Sequence, residues 1–469
     1  MQHEDRDEPG GVAQQESPAD AGVGQRDHGA LGQFFQGRHT LSTLLQTAAA
    51  GRKISADKRE LHRKTGAHGC ARRRHGFTLV VFRATLERMS NPDASSTPGP
   101  TLRVLHIVSG DLWAGAEAQV HQLLRAANGV AGLEIRAVVL NPGVLAERLA
   151  AEGIAVMLMD EAHHSFPALA AGVVKLARGW RPQVIHTHRR KEHLLGALAA
   201  AFSGAGLVGT VHGRGEFAHS RLNLRQKALG VAERLVLARC HDRLIAVSDE
   251  MAGELPGPTA HAVVIPNSID ADAIRRAAAE PAPGMEPDGR IRIGFLGRLV
   301  PVKQVDHMLE MMALLEKEQP GRYSLHIVGD GPLCEALHQA ASGLSIRDAV
   351  SFHGFLSDPL PILARMSMLL FASAHEGLPM TALEALSLGV PIVSPPIGTL
   401  ARLISESGAG GVAASAAPRH LADAVSDLPV EELPECGLRR CRLPERYRIA
   451  SGLGATIRLW REVSPGAGM

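Results

Sequence analysis

From residue 102 onward the chain alternates short β-branched or leucine-rich runs with longer helical stretches, and no other property limits its possible folds as much. Residues 102–108, 135–140, 155–158, 184–186, 207–211, 244–247 and 263–265 read as strands. A second series runs 291–296, 324–328, 350–352, 368–371 and 391–393. Strands that rejoin one sheet through a helix must run parallel, so both series predict βαβ units and parallel sheets. Between the series, residues 271–290 hold Pro281, Pro283 and Pro287 and read as a linker. The expected class is α/β: two parallel-sheet domains joined by a short linker, with a ligand cleft between the C-terminal ends of their strands.

Composition narrows the function. The 469 residues suffice for two or three cores, and 45% hydrophobic with 21% charged residues suits an ordinary globular chain. A formal charge of +2 gives no reason to expect a nucleic-acid partner. No apolar run approaches the ~18–20 residues that span a bilayer, and the polar, acidic start does not read as a secretory signal. Cys70, Cys240, Cys334, Cys436 and Cys441 are scattered and lack paired spacing, which fits a reducing cytoplasm rather than a disulfide framework or zinc site. Residues 1–100 read as a disordered or non-native extension, polar at first and basic around Arg72-Arg73-Arg74; residues 77–82 form an isolated strand candidate. Met89, followed by a Ser/Pro/Gly lead, is the better start of the folded chain.

The chemistry concentrates after two predicted strands of the second series. An apolar strand ends near Ser373, the loop Ala374-His375-Glu376-Gly377-Leu378 follows, and Pro379 suits the first turn of a helix that Gly389 closes. Glu376 thus falls at a strand's C-terminal edge, and Glu384 lies inside the helix, in an apolar stripe with Met380 and Leu388. A glutamate there needs a cation or hydroxyls such as a ribose diol, or else a backbone amide at the core edge. The helix start offers backbone N–H groups to a phosphate, with Met380 and Thr381 as donors and Gly377 and Leu378 in the loop before them. Directly after the strand at 291–296 come Gly297-Arg298 and Lys303, two cations suited to a diphosphate leaving group.

Taken together, Phe295-Leu296-Gly297-Arg298 with Lys303, Ile327-Val328-Gly329-Asp330-Gly331-Pro332, Phe352-His353-Gly354 and Glu376-x7-Glu384 resemble the retaining nucleotide-sugar glycosyltransferases of family four, which have the GT-B fold. Val104-Leu105-His106-Ile107-Val108 before Gly115-Ala116-Glu117, then Ile185-His186-Thr187-His188, Thr210-Val211-His212-Gly213 and Ile265-Pro266-Asn267-Ser268, extend the similarity to residues 102–463. The resemblance implies two facing Rossmann-like domains, an acceptor domain over 101–275 and a donor domain over 276–442, and a C-terminal segment, 443–469, whose helix at about 444–462 returns to the first domain. It implies that Arg298 and Lys303 grip the diphosphate, that Glu376 meets the transferred sugar and Glu384 the ribose. Gly115 would let backbone approach the donor, and His212 would face the sugar across the cleft. Implied, too, are a UDP- or GDP-sugar donor, a glycolipid or polysaccharide acceptor, no cofactor, no metal, and a cytoplasmic enzyme with room for peripheral membrane contact. Ala114, Ser268 and Thr399 depart from glycines common in the family; none removes a charged group. A nucleotide-sugar epimerase, a phosphorylase and a non-catalytic sugar-nucleotide-binding subunit are the competing readings.

Other features have plainer explanations. Asp270-Ala271-Asp272 resembles a metal-bridging pair, but at a helix start its aspartates suit capping. His186 and His188 share a strand face and, lacking a third ligand, suit the acceptor cleft or a structural role. Arg189-Arg190-Lys191 suits an anionic acceptor, a lipid headgroup or a solvated turn. His375 either shapes the donor pocket or lines the loop, and Trp113 is a candidate for stacking on a ring.

Overall fold

The computed structural model describes residues 101–111, 113–213, 224–257, 261–282, 284–286, 288–429 and 443–466, with side chains left out of account at 224–229. The expectations for residues 1–100, for Pro283 and Pro287, and for Cys70, Cys436 and Cys441 lie outside them.

The first domain runs β1 (Leu102–Val108), α1 (Gly115–Ala127), β2 (Leu133–Val139), α2 (Val144–Ala151), β3 (Ala155–Leu158), α3 (Phe166–Trp180), β4 (Val184–Thr187), α4 (Arg190–Ser203), β5 (Gly206–Val211), α5 (Leu224–Cys240), β6 (Arg243–Ala246), α6 (Asp249–Glu254) and β7 (Ala262–Val264). After α7 (Ala271–Ala278) the second domain runs β8 (Ile291–Leu296), α8 (Val305–Glu318), β9 (Tyr323–Val328), α9 (Cys334–Gly343), β10 (Val350–Gly354), α10 (Leu360–Leu363), β11 (Met368–Leu370), α11 (Met380–Ser387), β12 (Ile392–Ser394), α12 (Gly398–Ser407), β13 (Gly410–Val412) and α13 (Pro418–Ser426), and α14 (Ile449–Val463) follows. No helix among the described residues is long and apolar enough to cross a membrane.

Both sheets are wholly parallel, in the orders β3-β2-β1-β4-β5-β6-β7 and β10-β9-β8-β11-β12-β13. Helices cover both faces, so strand residues such as Leu105, Ile107, Ile293 and Leu325 are fully buried whichever way they point. Each order reverses direction once, at β1/β4 and at β8/β11. Loops leaving neighbouring strands there diverge to opposite faces and leave a crevice for a ligand. Gly115, His188, Arg298, Lys303 and Glu376 all follow one of those four strands.

Two elements escape the sequence pattern. Helix α7 fills the first eight residues of the stretch read as linker; Ala271, Ile274 and Ala278 are its buried stripe, and Arg275 Nε donates to Ser387 O of α11 at 3.0 Å. Strand β13 begins with Gly410-Gly411 and reads as a turn. A Cβ on Gly410 would lie 1.9 Å from Ile392 O, so only glycine lets this edge strand approach β12. The last helix starts at Ile449, after a 3-10 turn at Glu445–Tyr447, rather than at Pro444. It lies on α1 and β5, with Trp460 fully buried among Val104, Leu123, Val184 and Val208. Backbone bonds Ile269 N→Tyr447 O (2.9 Å) and Ile449 N→Ile269 O (2.8 Å) dock the returning chain.

The glycines after β9 have a mechanical purpose. Leu299 N donates to Asp330 O at 2.9 Å and Leu333 N to Leu299 O at 3.2 Å, so the Gly329–Gly331 turn holds the loop carrying Arg298. A Cβ on Gly331 would come within 2.4 Å of Leu299 O, which is backbone and cannot rotate away. Gly331→Ala is therefore expected to cost about 1–3 kcal/mol, measured as a lower urea midpoint, and to displace the Arg298 loop.

Candidate active site

The second switch point brings one cation and one carboxylate together. Lys303 ends a 3-10 turn, Pro301–Lys303, after β8, and Glu376 lies in the loop after β11. Lys303 Nζ is 2.5 Å from Glu376 Oε1, which also accepts from Ser373 Oγ at 2.6 Å. Ala374 N donates to Val302 O at 2.9 Å, fixing one loop against the other. The carboxylate is only 9% exposed, so the pair is shielded from much of the solvent screening that weakens surface ion pairs. Arg298 is not part of this cluster. Its side chain is exposed and has no hydrogen-bond or ion-pair partner among the described residues, while Gly297 N is engaged by Val328 O at 3.0 Å.

Two helix N-termini meet at this domain boundary. Gly115 begins α1 and Met380 begins α11; a Cβ on Gly115 would lie 3.9 Å from Met380 Cγ. Neither N-terminus has a side-chain cap, because Ala114 and Pro379 hold the cap positions. Pro379 therefore precedes the helix rather than opening it, and the free N–H groups of Met380 and Thr381 begin the first turn. Aligned helix dipoles and uncapped N–H groups make such an end attractive to an anion. The domains meet closely here: a Cβ on Gly377 would be 2.6 Å from His212 O, and Asn267 Nδ2 donates to Leu378 O at 2.7 Å.

Glu384 lies one turn further along α11. Its carboxylate has no hydrogen-bond or ion-pair partner among the described residues; burial, with Asp358 adding to it and Arg148 opposing, pushes its pKa up to about 7. Arg148 reaches across from α2, donating to Ser357 O at 2.8 Å, and its guanidinium lies 4.3 Å from the centre of the Trp113 ring. That face of Trp113 is thus already covered, and His121 meets the ring edge-on at 5.9 Å. His375 lies half-buried in a cavity with Glu376, Ser248, Glu250 and Thr399.

His212 follows β5 in a buried group of histidines. His106 on β1 and His186 on β4 are register partners, and His188 follows two residues later. Ring nitrogens of His106, His186 and His188 lie within 4.8 Å of one another, so the third histidine that the sequence did not offer comes from β1. His186 is nevertheless committed elsewhere. The Trp460 indole can only donate, so its 3.2 Å bond makes His186 Nδ1 an acceptor and leaves Nε2–H to donate to Thr210 Oγ1 at 2.8 Å. With both nitrogens used, His186 is a poor metal ligand in this arrangement. Burial holds His106, His186 and His188 well below the usual histidine range and lowers His212 to about 3, with Arg189 adding to it; all four are neutral at pH 7.

The basic run at 189–191 is internally paired and does not form a free anion site. Arg189 meets the buried Glu117 at 2.5 Å, Arg190 pairs with the buried Glu233, and Lys191 pairs with Glu161. Asp270 caps α7, its Oδ1 accepting from Ala273 N at 2.9 Å while Oδ2 meets Arg125 at 2.7 Å. Ser268 does not adopt a positive φ, so the glycine it replaces is not needed there for left-handed backbone. Thr399 Oγ1 donates to Glu250 Oε2 at 3.4 Å, bringing a first-domain carboxylate to the start of α12. Glu192 went unnoticed in the sequence: its two oxygens accept from Ser109 N (2.6 Å) and His188 N (3.0 Å), tying together the loops after β1 and β4.

Residues 113–273 match the family described as Glycosyltransferase Family 4, and residues 290–429 match Glycosyl transferases group 1. The chain is 29% identical over 253 residues to 2-deoxystreptamine N-acetyl-D-glucosaminyltransferase of Streptomyces fradiae, covering 50% of this chain and 59% of that protein. It is 30% identical over 287 residues to D-inositol 3-phosphate glycosyltransferase of Streptomyces scabiei, covering 56% and 64%. These alignments span less than two thirds of the relatives' own length. Among solved structures, Anabaena HepE in complex with UDP-glucose superposes with a TM-score of 0.65 at 18% identity, over 77% of this chain and 100% of that one. WaaG, a glycosyltransferase involved in lipopolysaccharide biosynthesis, gives 0.59 at 15%, over 78% and 100%. With two parallel-sheet α/β domains and family matches in both, the chain belongs to the family-4, group 1 glycosyltransferases and has the GT-B fold.

Proposed function

We propose that this chain is a retaining glycosyltransferase that moves a sugar from a UDP- or GDP-sugar to a hydroxyl of a glycolipid or polysaccharide acceptor. The observation carrying the reading is the Lys303–Glu376 pair at the second switch point, in the loop that leads into α11, whose first residue lies against the first residue of α1. In this reading the diphosphate takes Lys303, Arg298 and the N–H groups of Met380 and Thr381, and these donors stabilise the charge that develops as it leaves. Glu376 receives sugar hydroxyls, oriented by Ser373 and Lys303. Glu384 receives the ribose, and Gly115, Gly297 and Gly377 leave room for the ligand along bare backbone. His212 meets the sugar from the first domain. The acceptor hydroxyl attacks from the face the diphosphate leaves and gives its proton to the departing phosphate oxygen, which retains configuration. Family membership and the UDP-glucose held by HepE support the donor class. The cell-surface acceptor, a cytoplasmic location and peripheral membrane contact belong to the same proposal.

The test uses the full chain with UDP- and GDP-sugars, with and without membrane lipid extract. Nucleotide release that depends on lipid, and falls ~10²-fold or more in Glu376→Ala, is the expected result. Release of a 2-epimer without any acceptor would overturn transfer in favour of epimerisation. Lys303→Met and Glu376→Gln should each lower turnover, with the double variant less impaired than the product of the singles, because the residues are in direct contact.

Glu384 gives a pH signature. Its folded pKa of about 7 lies above the ordinary 4.5, so the ionised form is disfavoured in the free protein. That penalty is absent below pH 4.5, grows between 4.5 and 7 and is complete above 7. Glu384→Gln should therefore stabilise the free protein at pH 8, on the order of 1–3 kcal/mol, and leave its thermal midpoint unchanged near pH 4.5. The same variant should weaken nucleotide binding by roughly 10–100-fold at pH 8, since the charged acceptor for the ribose is lost. Calorimetric titration and thermal unfolding at the two pH values check both.

A further inference from the structure

Three imidazoles form a continuous chain from the interior of the first sheet to the loop after β5. His106 Nδ1 is 3.2 Å from His188 Nε2, and His188 Nδ1 is 3.3 Å from His212 Nε2. The rings of His106 and His188 are stacked at 17°, those of His188 and His212 at 27°, and His186 stacks on His188 at 4.5 Å as a wall. Two ring nitrogens of this series are buried without a partner among the described residues, and they are its two ends: His106 Nε2 and His212 Nδ1.

A neutral imidazole has one N–H and one lone pair, so the bonds of such a chain must all run in the same direction. In one direction His106 Nδ1–H donates to His188, His188 Nδ1–H donates to His212 Nε2, and His212 keeps its proton on Nδ1. In the other, every proton moves to Nε2 and His106 buries an unpaired N–H. Unpaired buried donors are rarer than unpaired buried acceptors, and no ligand can reach His106, which is 0% exposed. The first direction is favoured: the unpaired lone pair stays at the fully buried His106, and the unpaired N–H, itself covered in the free protein, falls on His212, a partly exposed residue whose backbone O lies against Gly377 of the second domain.

We propose that His188 is a positioning residue for His212, holding its ring through Nδ1–H and so making His212 present Nδ1–H as a hydrogen-bond donor to an oxygen of the ligand. This rests on the transferase reading for the identity of the ligand, a sugar hydroxyl, but not for the tautomer. His212 then orients the sugar and does not take the acceptor's proton.

Two variants separate the ends of His188. His188→Asn places an amide nitrogen near the position of Nδ1, retaining a donor toward His212 and losing the link to His106; His188→Gln reaches the position of Nε2 and does the reverse. Ring nitrogen spectra of the 15N-histidine-labelled full chain should show His212 as the Nδ1–H tautomer in the parent and in His188→Asn, and as a tautomer mixture in His188→Gln. Turnover at saturating donor should fall at least tenfold in His188→Gln, with the donor KM unchanged, and stay within threefold in His188→Asn. Equal effects of the two variants on the ring and on turnover would reduce His188 to a packing residue and overturn the proposal. An Nε2–H tautomer in the parent overturns it with no variant needed. A parent with the Nδ1–H ring that transfers from no donor leaves this inference standing and removes the transferase reading.

Discussion

The contact between Lys303 and Glu376 depends on the reversal of strand order at β8/β11, and most of the site's geometry follows from that reversal. Residues seventy-three positions apart meet at 2.5 Å because β8 and β11 are hydrogen-bonded neighbours whose connections leave in opposite directions. Arg298, Gly377 and the start of α11 are placed by the same two loops. A helix packed on the wrong side of either strand would separate the cation from the carboxylate without changing a local propensity.

The first domain solves the matching problem by a different means. Its loops after β1 and β4 are held by the carboxylate of Glu192, which accepts from Ser109 N and His188 N, while burial raises its own pKa to about 7. Around it the domain buries neutral histidines. Leaving them uncharged avoids the desolvation cost of buried cations, and stacking fixes their rings without ionic partners. Helix α14 completes this arrangement from the far end of the chain, since Trp460 decides the tautomer of His186.

Much of the site was legible because its residues follow strands. Glu376, Lys303 and the turn before α11 stand where an apolar run gives way to glycine and proline, and both charges survive in the same sheet. Arg189-Arg190-Lys191 shows the opposite case. The run looks like a free cationic patch in sequence, yet each side chain has a carboxylate partner 30 to 72 positions away, and the first two partners are buried. Trp113 likewise looked available for stacking until Arg148, on the next helix, was found over its ring.

What the sequence by itself determined is the class of most elements and the place of the charged residues relative to them. Two-residue and 3.6-residue periodicities, glycines at close approaches and prolines at helix starts are local, and they located Arg298, Lys303, Glu376, Glu384 and His212 at strand ends or on one helix. Tertiary structure alone decided who meets whom. It joined Lys303 to Glu376, added His106 to His186 and His188, left Arg298 without a partner among the described residues and turned part of a linker into α7. The physical reason is that backbone preference is set over a few residues, whereas strand order and the approach of one domain to another are chosen by the burial of whole faces, which no short stretch of sequence contains.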